Sequence, residues 1–178
     1  MTTRARIGAA ADEHGERLLV WLPRLRRYAR ALVGRREDAD DLVQDTLERA
    51  WSREDRWQAV ADMRAWLFSI MHNLHVDGAR RARLPLVELD ESAAELPAPP
   101  PAEPLAVRDL QAALERLPVE QKEVLLLVAL EDMSYADAAR ALGIPIGTVM
   151  SRLARGRERL RALMDGRSEP ARLKVVKG

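Results

Sequence analysis

The sequence predicts an all-α protein in which two small helical domains are joined by an acidic, Pro-rich linker. First, apolar residues recur at intervals of three and four from Glu16 to Arg83 and again beyond Leu105, which is the helical period. Second, helix formers dominate, and aromatic residues make up only 4% of the chain. Third, Pro85, Pro97, Pro99, Pro100, Pro101 and Pro104 lie among Glu88, Asp90, Glu91, Glu95 and Glu103 without one basic residue, a composition that extends rather than packs. The expected boundaries are residues 16–84 for the first domain, 85–105 for the linker and 106–165 for the second domain.

Residues 1 to about 15 show no clear period and are expected to fray. Leu18, Leu19, Leu22, Leu25, Tyr28, Ala29 and Leu32 then form an apolar stripe that Gly34 ends. Pro23 inside it calls for either a kink or a helix start near Leu22. A second helix is expected from about Asp38 to Trp51. A short third one should begin near Asp62, before a long helix from Arg64 to Arg81 carrying Trp66, Leu67, Ile70, Met71 and Leu74. The linker could reach roughly 60–70 Å if stretched. Helices return at Val107–Leu117 and Val119–Leu130. Ser134 with Asp137 three residues on writes a capping box, Gly143 a left-handed stop, and Pro145 a first helical position. That is the pattern of a helix-turn-helix. Beyond the turn, Val149, Leu153, Gly156 and Leu160 should face the core, with Thr148, Ser151, Arg152, Arg155 and Arg159 on another face.

Composition excludes several function classes. A chain of 178 residues with 47% apolar and 32% charged residues has the balance of a globular protein. The absence of cysteine removes disulfides, thiolate metal sites and cysteine nucleophiles. The longest apolar run, Val124–Leu130, is far short of a membrane span, and charges stand where a signal peptide needs an apolar stretch, so no membrane insertion and a cytoplasmic location are expected. The net charge of +1 hides segregation: from Ser134 to Met164, six arginines against Asp137 and Glu158 leave +4 locally, a field that attracts phosphate.

The first domain carries two further patterns. In ADDLVQDTLERAW, residues Ala39, Leu42, Val43, Thr46, Leu47 and Ala50 form an apolar stripe, while Asp41, Gln44, Asp45 and Glu48 align on another side. That acidic side reads either as a solvated face or as a docking face for a basic partner. From Asp55 to Arg81 aromatics and arginines interleave, a mixture that suits single-stranded DNA. Trp66 sits on the core stripe and is expected to pack there rather than stack on a base. Asn73, polar within an apolar helix, is better placed to read one.

Three segments in this order, DADDLVQDTLERAW, MRAWLFSIMHNLHVDGARR and LERLPVEQKEVLLLVALEDMSYADAARALGIPIGTVMSRLARGRERL, resemble the extracytoplasmic-function (ECF, group 4) sigma factors of bacterial RNA polymerase, within the sigma-70 family. The resemblance covers about residues 16–84, as region 2, and 106–165, as region 4. It implies that Asp41, Gln44, Asp45 and Glu48 dock on the clamp coiled coil of the largest subunit of core RNA polymerase. It further implies that the loop from Gln58 to Met63, with Asp62 and Met63, and the helix bearing Asn73 and Asp77 recognise and melt the minus-ten element, with Arg80 and Arg81 on phosphates. Region 4 would put Thr148, Ser151, Arg152, Arg155 and Arg159 on the double-stranded minus-thirty-five element and touch the polymerase flap. An anti-sigma factor is the expected inhibitory partner. LPRLRRYARALVG and MHNL resemble the branch that runs general stress responses. Two departures stand out: Met150 occupies a position that is basic in many members, and Ala59-Val60-Ala61-Asp62 is less polar than in some.

Two readings from other classes compete: a stand-alone helix-turn-helix DNA-binding regulator, and a sigma mimic that sequesters an anti-sigma partner. A mimic is expected with a signalling domain, which this sequence does not display. An enzyme is disfavoured. His72 and His75 are three apart with Asp77 nearby, but a surface or packed pair fits better than a metal site without a further ligand pattern. No catalytic residue, cofactor or metal is expected.

Overall fold

The structure, a computed structural model, describes residues 18–53, 60, 62–83 and 105–166. The expected fraying at residues 1–15, the linker up to residue 104, most of the loop from Gln58 to Ala61 and the tail after Gly166 lie outside these residues. Seven helices and no strand occur among the described residues: α1 Leu22–Val33, α2 Arg36–Trp51, α3 Met63–Arg83, α4 Leu105–Glu115, α5 Val119–Ala129, α6 Tyr135–Leu142 and α7 Ile146–Met164.

Pro23 produces no kink. It lies in the first turn of α1, where its fixed φ suits the helix and its missing N–H is not needed. Gly34 ends α1 at φ 80° and returns its N–H to the Arg30 carbonyl; the left-handed φ is what calls for glycine, since the atom a Cβ would meet, Glu115 Oε1, is the tip of a flexible side chain. In α2 the first-turn Glu37 and Asp38 complement the helix dipole, and Ala39, Val43, Thr46 and Ala50 are buried. The Thr46 hydroxyl donates to the Leu42 carbonyl at 2.7 Å, which satisfies its burial.

The separate short helix expected at Asp62 does not form. Asp62 instead caps a single helix, its carboxylate accepting the Ala65 N–H at 3.1 Å. α3 buries Leu67, Phe68, Ile70 and Met71, and Phe68 meets Tyr28 of α1 edge-on, with centroids 5.0 Å apart.

In the second helical set α5 is central. Six consecutive residues from Lys122 to Leu127 are buried, whereas a helix lying on a surface would alternate. α7 covers one side of it and α1 another. Gly156 of α7 passes so close that a Cβ would lie 3.3 Å from the Gln121 carbonyl. After α5 the chain turns through Asp132 at φ 53°, a conformation aspartate tolerates, with the Met133 N–H bonded to the Leu127 carbonyl at 3.0 Å.

Ser134 caps α6 as the sequence predicts, accepting the Asp137 N–H at 3.1 Å. Gly143 stops the helix at φ 63°, ψ 32°, and Ile144 N–H returns to Ala139 O. Pro145 differs from its expected place: extended at ψ 146°, it is the cap of α7, and Ile146 is the first helical residue. Its carbonyl takes the Thr148 and Val149 N–H groups at 2.9 and 3.2 Å, which explains the one-residue shift.

The two helical sets share one apolar core. Leu25, Tyr28 and Leu67 from the first set join Val124, Leu127 and Met133 from the second in one buried cluster.

Candidate nucleic-acid interface

On α7 the predicted face lies opposite the buried Val149, Leu153 and Gly156. Thr148, Ser151, Arg152 and Arg159 are half-buried and Arg155 is exposed. The Ser151 hydroxyl donates to the Thr148 carbonyl at 3.0 Å, so it bonds back to its own helix. Arg155 Nε donates to the Ser151 carbonyl at 3.3 Å, which steers the guanidinium along the face. Arg157 and Arg161 add exposed charge beside it. A helix N-terminal half whose outward side is basic and polar, with Ile146 and Met150 as its exposed large apolar side chains, suits a phosphate-lined groove.

Ser134 and Asp137 set the pose of the helix before it. The Ser134 hydroxyl holds the Asp137 carboxyl below its ordinary value of 3.8, burial opposes this, and Arg140 and Arg64 reinforce it. A depressed folded value means that the ionised carboxylate contributes stability above pH 3.8, and that this is lost as pH falls through the lowered value. Ser134→Ala is accordingly expected to cost about 1 kcal/mol near neutral pH. The difference should shrink on acidification below about pH 4, as denaturant midpoints of the two chains between pH 7 and pH 3 will show.

The first helical set presents its predicted residues at three places. Asp41, Gln44, Asp45 and Glu48 are all exposed on α2. Gln44 donates to Glu48 at 2.9 Å, while the nearby cations Arg35 and Arg36 lean toward Glu37, Asp38 and Asp40. Among the described residues no cation pairs with Asp41, Asp45 or Glu48. Asn73, Asp77, Arg80 and Arg81 share the exposed side of the last turns of α3, with Arg81 Nε donating to the Asp77 carbonyl at 3.3 Å.

Asp62 and Met63 do not join that group. They sit at the other end of α3, about 16 Å away along the axis from Asn73. Met63 and Trp66 both pack partly against the core, so Trp66 takes the packing role expected of it.

The polar residues that sequence reasoning missed lie between the two sets. Lys122 Nζ donates to the Leu32 carbonyl at 2.9 Å. Glu123 Oε1 lies 2.8 Å from His72 Nδ1. Glu131 Oε1 accepts from Arg27 Nη2 at 2.8 Å and from Arg27 Nε at 3.2 Å. Glu123 and Glu131 are only 2% and 1% exposed, depths that carboxylates reach when paired. Arg64 donates to the Glu131 carbonyl at 3.3 Å and lies 3.9 Å from Asp137 Oδ2; Arg140 Nη2 lies 3.7 Å from Asp62 Oδ2. Burial pushes the Tyr28 hydroxyl well up, with Glu123 and Glu131 adding to it. Burial likewise lowers Lys122 and His75. The one local signal was Lys122-Glu123 placed directly before an apolar run.

His72 is engaged by Glu123, and among the described residues no group of three or more His, Cys, Asp or Glu could hold a metal ion. No helix among them is long and apolar enough to cross a membrane.

Residues 19–72 match the family described as the Sigma2 domain of PhyR, and residues 108–160 match Sigma-70, region 4. The chain is 38% identical over 155 residues to the ECF RNA polymerase sigma factor EcfG of Rhodopseudomonas palustris, covering 86% of each. It is 37% identical to the ECF RNA polymerase sigma factor SigM of Mycobacterium tuberculosis, over 79% of this chain and 71% of that one. Among solved structures it is similar to the sigma factor RpoE in complex with the anti-sigma factor NepR from Bartonella quintana, with a TM-score of 0.71, 34% identity and coverage of 86% and 97%. It is also similar to CnrH in complex with the cytosolic domain of CnrY, with a TM-score of 0.65, 28% identity and coverage of 87% and 89%. The PhyRSL–NepR complex from Sphingomonas sp. Fr1 has a TM-score of 0.64 at 23% identity, which speaks to fold alone.

Proposed function

The chain belongs to the ECF class of RNA polymerase sigma factors, and from that premise we propose how its surfaces divide the work. The acidic side of α2, with Asp41, Gln44, Asp45 and Glu48, docks on the clamp coiled coil of core polymerase. Asp62 and Met63, together with Asn73 and Asp77, hold the melted minus-ten strand, and Arg80 and Arg81 take its phosphates. α7 enters the major groove at the minus-thirty-five element through Thr148, Ser151, Arg152, Arg155 and Arg159, and the same domain touches the flap. The chain directs initiation without catalysing a covalent step, acts in the cytoplasm, and is held by an anti-sigma factor in a stress response. The observation that carries this reading is the 38% identity to a sigma factor over 86% of both chains. The likeness to two sigma factors solved with their inhibitors supports the anti-sigma partner.

Transcription by purified core polymerase on a library of upstream sequences, with and without the chain, tests the reading. Promoter-specific transcripts that require the chain are expected. Tight, specific duplex binding with no need for polymerase and no transcripts would favour the stand-alone regulator. Arg155→Ala should weaken minus-thirty-five duplex binding and reduce the slope of log affinity against log salt by about 1. Because the region 2 match is to a domain of PhyR, described in its own complex as an anti-anti-sigma factor, the sigma mimic stays as a second reading. A mimic would bind the inhibitor and ignore core polymerase.

A further inference from the structure

We propose that α7 reads thymine at the minus-thirty-five element through an apolar strip, with Met150 as a specificity-determining residue whose side chain packs on thymine C5-methyl groups in the major groove. This deepens the function proposed above and rests on it.

Spacing and exposure define the strip. Ile146, Gly147, Met150 and Ala154 follow one another at intervals of one, three and four, which puts them on one side of the helix within about 100°. All four are exposed, Ile146 at 50% and Met150 at 53%. Packing does not account for them, because Val149, Leu153 and Gly156 already supply the buried side of α7. A Cβ on Gly147 would meet nothing within 4 Å, so no neighbour requires glycine there, and its bare backbone leaves the flank of Met150 open.

The polar groups beside the strip are partly committed elsewhere. The Ser151 hydroxyl gives its one hydrogen to the Thr148 carbonyl, and Arg155 Nε gives its own to the Ser151 carbonyl. Arg155 keeps its terminal N–H groups for a guanine edge or a phosphate. The long side chain in the middle of the exposed strip, Met150, has no hydrogen to donate. In the major groove the apolar group that a base edge presents is the thymine methyl. An unbranched, polarisable side chain can lie along neighbouring methyl groups at varied spacing, which a stiffer one cannot. Charge selects DNA as the occupant: Arg155 stands beside the strip, Arg157 and Arg161 are exposed further along the helix, and the local charge from Ser134 to Met164 is +4. A field of that sign draws the polyanion that carries thymine.

Core polymerase carrying the chain first selects minus-thirty-five sequences from a randomised library. The selected promoter is then built with deoxyuridine in place of each thymidine in turn, on either strand, which deletes one methyl group and leaves every hydrogen-bonding group in place. Promoter binding is expected to fall about fourfold at one or two of these positions, the effect of losing one buried methyl-sized group. Met150→Ala should bind the thymine promoter as weakly as the parent binds the uracil one, and should no longer distinguish the two. A merely structural role would not move that ratio, and a change in DNA stiffness would act on both chains alike. An element selected without thymine, equal binding of thymine and uracil promoters by the parent, or unchanged discrimination in Met150→Ala overturns the proposal. So does a fall in core polymerase affinity with discrimination intact, which would assign the strip to the polymerase flap. If the chain supports no transcription, the sigma reading fails instead. The same selection and substitutions with the chain alone on duplex DNA then decide the thymine contact, and absence of duplex binding overturns it.

Discussion

Replacing Phe68 with alanine is expected to lower the unfolding free energy by about 3–5 kcal/mol. Phe68 is 1% exposed and stands edge-on to Tyr28, itself 1% exposed, with an interplanar angle of 79°. The substitution removes the transfer free energy of the ring, leaves a cavity between α1 and α3, and deletes an aromatic pair worth about 0.5–1.5 kcal/mol beyond its area. The surroundings cannot collapse easily, because Leu67 and Met71 on the same helix are already fully buried. Urea denaturation followed by circular dichroism measures the change. Val20→Ala, at a position 73% exposed, serves as the comparison and should stay within about 0.5 kcal/mol of the parent. A loss below 1 kcal/mol for Phe68→Ala would mean that the joint between α1 and α3 is packed differently. Burial keeps the Tyr28 hydroxyl protonated, so the loss should not depend on pH across the neutral range.

Asp41→Arg with Asp45→Arg is expected to reduce affinity for core polymerase on the order of a hundredfold, since like charges facing each other across an interface cost several kcal/mol. Both side chains are exposed and neither pairs with a cation among the described residues, so the fold should hardly notice. Their helix propensities change little and in favour of arginine. Titration of labelled core polymerase, beside a minus-thirty-five duplex titration, separates the two functions: the first should collapse and the second persist. The parent affinity should fall with added salt, as an exposed electrostatic contact requires. Core affinity that survives both reversals would move the docking face away from α2. Loss of both activities together would point to misfolding, which the denaturation experiment above would register.

How far the residues foretold these surfaces depends on how local each feature is. Ser134 with Asp137, and Gly143 after Leu142, are backbone hydrogen-bonding devices spanning a few residues, and they appear where the text of the chain places them. The buried faces of α1, α2 and α7 follow from spacing, except that Leu19, counted in the stripe ahead of α1, is 59% exposed because it precedes the helix and its packing partners. Pro145 and Asp62 were misread by a residue or an element, because a residue at a helix boundary can cap or begin it, and hydrogen-bond geometry decides between the two. The six-residue buried run on α5 defeated periodicity for a different reason. Spacing reveals which side of a helix is apolar, and it is silent about Lys122 and Glu123 when a second body covers the polar side too.

The order of residues settled the helices, their stops, the basic side of α7 and the acidic side of α2, since these arise from interactions within one or two turns. Folding in three dimensions decided that Arg27 meets Glu131 and His72 meets Glu123, pairs separated by 104 and 51 positions. No local pattern encodes such a meeting, because each partner alone looks like an ordinary surface charge. It is the withdrawal of water from the two carboxylates that makes them specific contacts, and that happens only once the two helical sets come together.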